Sequence, residues 1–175
     1  MRPVPFFVSL TVFAAFLAAP LWASARTPVT LVYDHLVRFQ TAAGPVFICA
    51  HLAATPKARQ IGLMWQTDLP PKGGMLFYLP RAEPMSMWMR NTLISLDMIF
   101  IDEKARIQRI AERTEPLSER LISSGGPVRF VLEIEADKAA QFGLAKGQEF
   151  RVAELGEQRC DPETGKVLPL PVPQN

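Results

Sequence analysis

The chain has 175 residues, with 19 Lys and Arg set against 17 Asp and Glu for a net charge of +2. That balance argues against a nucleic-acid binder, which concentrates its positive charge on one face. Here Lys57, Arg59, Arg81, Arg106, Arg109 and Arg151 are scattered along the sequence and read as a solvated surface.

Residues 1–25 have the pattern of an export signal. Met1-Arg2 supplies a short positive start, Phe6 to Ala19 carries no charge, and Ala23-Ser24-Ala25 is a small-x-small cleavage site. The pattern predicts a mature chain beginning at Arg26 and an exported, periplasmic location. The rival reading is an uncleaved anchor, but the apolar run is about 14 residues against the roughly 20 that span a bilayer. No stable membrane span is expected after cleavage. Loss of Arg2, the one charged residue before Arg26, leaves a mature chain of net charge +1. Its length suits a single domain with its own core.

Leu31 to Phe39 and Pro45 to Leu52 are rich in strand-favouring residues and separated by Ala42-Ala43-Gly44, which predicts a hairpin. Thr55-Pro56 is a helix start, and a short helix is expected to end near Gly62. Residues 65–74, with Pro70-Pro71 and Gly73-Gly74, read as a loop. Met75 to Leu79 predicts a strand ended by Pro80, followed by strands over residues 85–92 and 95–102 and another from Arg106 to Ala111. The polar segment 113–127 reads as a surface loop, Val128 to Ile134 as a strand, Ala136 to Phe142 as a helix, and Glu149 to Leu155 as a last strand. About eight or nine short strands with two brief helices predict a mainly β domain over residues 26–160. Their spacing favours an antiparallel sandwich or barrel over a parallel sheet. The Pro-rich C-terminal tail, residues 161–175, lacks periodicity and reads as extended or mobile.

Six of the seven methionines fall between residues 64 and 98. On a strand, Met85, Met87 and Met89 would share a face, as would Cys49 and His51. Thioethers are soft ligands suited to Cu(I), so these five residues define a candidate metal site. Methionine is also a flexible core filler, and side chains two apart on one strand are separated by about 7 Å. Asp97 and Glu133 each sit in an apolar run, where a carboxylate must be paired or hold a raised pKa. Arg59 and Arg90 are natural partners, the Asn91 amide could join them in acid–base work or in gripping a polar ligand, and Trp88 offers a stacking surface. Cys49 and Cys160 form a disulfide or remain two free thiols. A bridge across so long a loop would stabilise the fold by about 4–5 kcal/mol. No G-x-S-x-G elbow, closely spaced His/Cys pairs or phosphate-cradling glycine loop is present, and no cofactor is called for.

Arg59-Gln60-Ile61-Gly62-Leu63-Met64, Gly74-Met75-Leu76-Phe77, Trp88 to Asp97 (WMRNTLISLD) and Phe100-Ile101-Asp102 occur in the order seen in one known family. Val131-Leu132-Glu133 and Gly143 to Gly147 continue the pattern. Over residues 45–153 the chain resembles the family called domain of unknown function 192. The resemblance implies a compact, mainly β fold of jelly-roll-like character and supplies no catalytic residues. The sequence departs from the family pattern at Arg90, where Lys is usual, at Ser95, where Pro is usual, and at Asp137, where Gly is usual. Met85 and Met87 are not part of the pattern.

The reading that follows is an exported β domain acting as a binding or accessory module of the cell envelope. Its ligand, a small molecule or an envelope component, would meet a polar–aromatic patch of Arg59, Trp88, Arg90, Asn91, Asp97 and Glu133. One rival is an envelope hydrolase using Asp97 and Glu133 as acid and base. Another is a copper-binding protein using Met85, Met87, Met89, Cys49 and His51. The third is a purely structural accessory protein.

Overall fold

The computed structural model describes residues 27–169; the expected export signal and the last residues of the tail, 170–175, lie outside the described residues. Nine strands and two short helices follow in the order β1 (His35–Thr41), β2 (Gly44–Ala53), α1 (Pro56–Ile61), β3 (Gly73–Met87), β4 (Leu96–Ile101), β5 (Ile107–Ala111), β6 (Ile122–Glu135), α2 (Lys138–Gln141), β7 (Phe150–Glu154), β8 (Gln158–Asp161) and β9 (Lys166–Pro169). Seven strands form one sheet in the order β5-β4-β6-β3-β2-β1-β7, and β8-β9 form a separate hairpin. The mainly β expectation with two short helices holds. The sheet is mixed, however, because β2 and β3 pair in parallel. A parallel pair needs a crossover of a dozen residues or more, and α1 with the following loop supplies it. The edge strands approach through a single antiparallel bridge, Arg106 with Glu149, so the sheet curls without closing into a barrel.

Strand alternation sorts the apolar residues onto two faces. Val37, Phe39, Ile48, Leu76, Ile99 and Leu132 fill one core, which α2 closes with Ala139. Met75, Phe77, Met98, Phe100 and Val131 face the other way and meet Leu63 beyond α1 and Met89 beyond β3. Both sides of the central strands are therefore buried. Gly74 lets β3 and β6 approach, since a Cβ there would lie 2.5 Å from the Glu133 carbonyl oxygen.

Four expectations need correction. β3 does not end at Pro80; the chain passes through a bulge between Tyr78 and Glu83, where a residue lacking an N–H removes no ladder bond. The strand expected over residues 85–92 stops at Met87, and residues 88–95 form a loop. The loop expected over 113–127 gives way at Ile122 to β6, whose Ser123 and Pro127 pair with Ser86 and Pro84 of β3. Residues 161–169 of the tail are not an isolated extension. Cys160 forms a disulfide with Cys49, Cα atoms 5.4 Å apart, and the Lys72 N–H donates to the Pro162 carbonyl at 2.8 Å. Asp161 shapes the hairpin turn by accepting from the Glu163 N–H at 3.1 Å and the Thr164 hydroxyl at 2.5 Å.

Candidate functional site

A cavity of about 330 Å³ lies on the α1 side of the sheet. Thr55 caps α1, accepting from the Ala58 N–H at 3.1 Å, and Pro56 opens the helix with a φ suited to its first turn. The helix thereby presents Arg59 to the cavity wall. One Arg59 nitrogen donates to the carbonyls of Ala54 at 2.5 Å and Tyr78 at 3.0 Å, tying helix to sheet.

The mouth is built by loop 88–95, held by its neighbours through backbone bonds. Asn91 accepts from the Trp65 N–H at 2.9 Å, Met89 donates to Ser118 at 2.9 Å, and Leu117 donates to Thr92 at 3.0 Å. Trp65, Asn91 and Leu117 all have positive φ, at 66°, 58° and 62°. Asn tolerates that conformation, whereas Trp and Leu are uncommon in it. Trp65 and Asn91 adjoin the lining residues Met64, Arg90 and Thr92, and Leu117 bonds to Thr92, so three touching loops behind the cavity wall are held in sparsely populated backbone states. Trp88 is 39% exposed, with the Arg90 guanidinium 5.5 Å from its ring centroid. Arg90 also lies 3.7 Å from Glu119, a solvent-exposed pair that contributes little to stability.

At the floor is Glu133 of β6. Strand alternation turns it toward the cavity, opposite Met75 of β3 and Met98 of β4. Its side chain is 4% exposed and has no hydrogen-bond or ion-pair partner among the described residues. Burial alone pushes its pKa up to about 8, because desolvation penalises the charged form and no cation offsets the penalty. Glu133 is therefore mostly protonated at neutral pH.

Asp97 has the opposite environment. Its register partner is Ile134, so its carboxylate faces the other core. It is fully buried and accepts from the Arg113 and Ala139 N–H groups, both at 2.9 Å. It ties the segment after β5 and the start of α2 to β4. Asp97 and Glu133 lie on opposite faces of the sheet, so they cannot act as an acid–base pair on one substrate.

The cavity thus gathers Arg59, Trp88, Arg90 and Glu133 and leaves out two expected members. Asp97 is behind the sheet. Asn91 shapes the loop from its left-handed position, its side-chain amide 3.6 Å from the Met64 sulfur. The five candidate metal ligands do not converge. Cys49 is spent in the disulfide. His51 lies against the Val32 backbone, its Nδ1 3.0 Å from the amide nitrogen. Met89 is fully buried, its sulfur 3.1 Å from the Thr114 hydroxyl. Met85 and Met87 do reach the cavity, joined by Met64 and Phe77 as apolar wall. Met64 stands outside the binding patch and metal set expected from sequence; its place two residues after Gly62, which closes α1, was the available signal.

The fold and site define a small, curled mixed-sheet β domain with one acidic-floored cavity under a short helix. A family model described as DUF192, uncharacterized ACR, matches residues 38–152, and the chain belongs to that family. A solved structure of a "putative transcription regulator" from Sinorhizobium meliloti 1021 is 36% identical, with a TM-score of 0.66, covering 71% of this chain and 98% of that one. A protein of unknown function from Novosphingobium aromaticivorans DSM 12444 is 32% identical, with a TM-score of 0.64, covering 82% of this chain and 99% of that one. No curated protein matches the chain.

Proposed function

We propose that this protein is a small-molecule-binding domain of the cell envelope and that its ligand enters the Glu133 cavity. The observation that carries the reading is a deep carboxyl, without a partner among the described residues, at the floor of a cavity walled by methionine and aromatic side chains and also lined by Arg59 and Trp88. Sites for small molecules have this composition, mostly apolar with a few convergent polar groups, and a strongly shifted carboxyl in a cleft is a functional-site signal. Export is supported by the signal pattern of residues 1–25 and by the disulfide, which suits an oxidising compartment. The name given to the Sinorhizobium relative suggests nucleic-acid work, but the balanced charge of this chain favours a small ligand.

The test is amide NMR of the mature protein against a panel of small amines, carboxylates, alcohols and sugars. The expected result is that at least one class shifts resonances concentrated at Arg59, Met64, Trp88 and Glu133. Shifts confined to other surfaces, or none across the panel, would remove the basis of the proposal.

A further inference from the structure

We infer that the cavity takes a compact primary amine cation on an apolar stem, its ammonium group seated on the Glu133 carboxylate. The inference rests on the binding-domain reading and names the chemistry of its ligand. A carboxylate deep in a largely apolar cavity needs a counter-ion or hydrogen-bond donors; the described residues supply Glu133 with neither, and its oxygens open onto the cavity. The charged groups lining the same cavity are Arg59 from α1 and Arg90 from the loop after β3, while the register neighbours of Glu133 on β3 and β4 are Met75 and Met98. Both guanidinium groups are engaged elsewhere, Arg59 with the Ala54 and Tyr78 carbonyls and Arg90 with Glu119 and the Trp88 ring. Neither one offsets the cost of burying the carboxylate.

An ammonium supplies both missing terms, a positive charge and up to three donors. A hard divalent ion suits the floor less well, since Ca²⁺ and Mg²⁺ require about six oxygen ligands and here a single carboxyl is offered. The rest of the wall fits the stem: Met85, Met87 and Phe77 are apolar, and Trp88 stands at the mouth. A volume of about 330 Å³ matches a compact ligand.

Binding is then coupled to a proton. A primary amine stays protonated to about pH 10, whereas the Glu133 proton must leave as the ammonium arrives. One proton passes from Glu133 to solvent for each amine bound below the carboxyl's own titration, and none above it.

Isothermal titration calorimetry with n-hexylamine, in two buffers of different ionisation enthalpy, measures both affinity and proton release. The account expects about one proton released at pH 6.5, a Kd that falls about tenfold per pH unit below pH 7.5, and no further gain above pH 9. It expects 1-hexanol to bind at least tenfold more weakly and Glu133→Gln to lose the amine preference and the proton release. The thermal transition of that variant reports whether it is folded. Equal amine affinity in folded Glu133→Gln, or 1-hexanol binding as tightly as hexylamine, would overturn the amine assignment. If hexanoate or 1-hexanol perturbs the cavity while hexylamine does not, the amine assignment falls and the binding-domain reading stands. Silence from all three overturns the amine assignment, and the wider panel then decides the binding-domain reading separately.

Discussion

Asp97 and Glu133 are buried carboxyls one register step apart on adjacent strands, β4 and β6, and they have opposite fates. Asp97 accepts two backbone N–H groups and joins three segments of chain. Glu133 has no partner among the described residues and lines a cavity. From sequence the two looked alike, each an acid inside an apolar run. The comparison teaches that burial of a charge does not by itself mark a site. A satisfied buried carboxylate serves the fold, while an unsatisfied one next to open space is available to a ligand.

The contrast is open to direct attack through stability, and the largest effect is expected at Glu133. Its folded pKa, about 8, lies above the ordinary value of 4.5. The folded state therefore holds a proton the unfolded state has lost across that interval. Its stabilising contribution is complete below about pH 4.5 and declines as pH rises through about 8, amounting to as much as about 5 kcal/mol. Urea unfolding at a series of pH values, with wild type compared to Glu133→Gln, checks this; parallel pH profiles for the two would contradict it. Next comes Asp97→Ala, which strands one buried and one part-buried N–H donor and should lower stability by about 2–3 kcal/mol, read from the denaturation midpoint. The Asp97 variant keeps Glu133 and should therefore keep the alkaline decline that Glu133→Gln removes.

Smaller effects separate loop shape from ligand contact. Asn91→Ala places a β-carbon residue without a compensating side chain at φ 58° and should destabilise by about 1 kcal/mol, with Asn91→Gly close to wild type. A loss on Gly substitution equal to that on Ala would mean the side chain, not the backbone state, matters there. Smallest is Trp88→Ala, expected to change stability by no more than about 1 kcal/mol, since the residue is 39% exposed at the surface. Any clear effect of that variant should appear in amine affinity instead.

Much of this molecule was legible in the sequence because it follows from local chemistry. Thr55-Pro56 marked α1, the apolar runs marked β2 and β4, and the motif order identified the family. The errors lie where long-range pairing overrode local signals. Ser123 to Pro127 reads as a loop, yet pairing with β3 extends β6 through it. Pro80 reads as a strand end, yet a bulge absorbs it. Asp137, where the family pattern has Gly, sits at φ 69°, a state in which Asp is tolerated. At the site, alternation alone set Met98 and Glu133 on one face and Asp97 on the other once the register was known. The sequence could not supply that register, so Asp97 and Glu133 were grouped together. The methionine alternation that suggested metal proved to be a wall: Met85 and Met87 line the cavity, while Cys49 and His51 are engaged elsewhere.

The most direct test of the central claim is a carbon-13 NMR titration of the Glu133 side-chain carboxyl in the ligand-free protein, assigned by its absence from Glu133→Gln. An unpartnered, buried carboxyl predicts a midpoint near 8. A midpoint near 4.5, the ordinary value, would show that the group is hydrated or paired and would contradict the account.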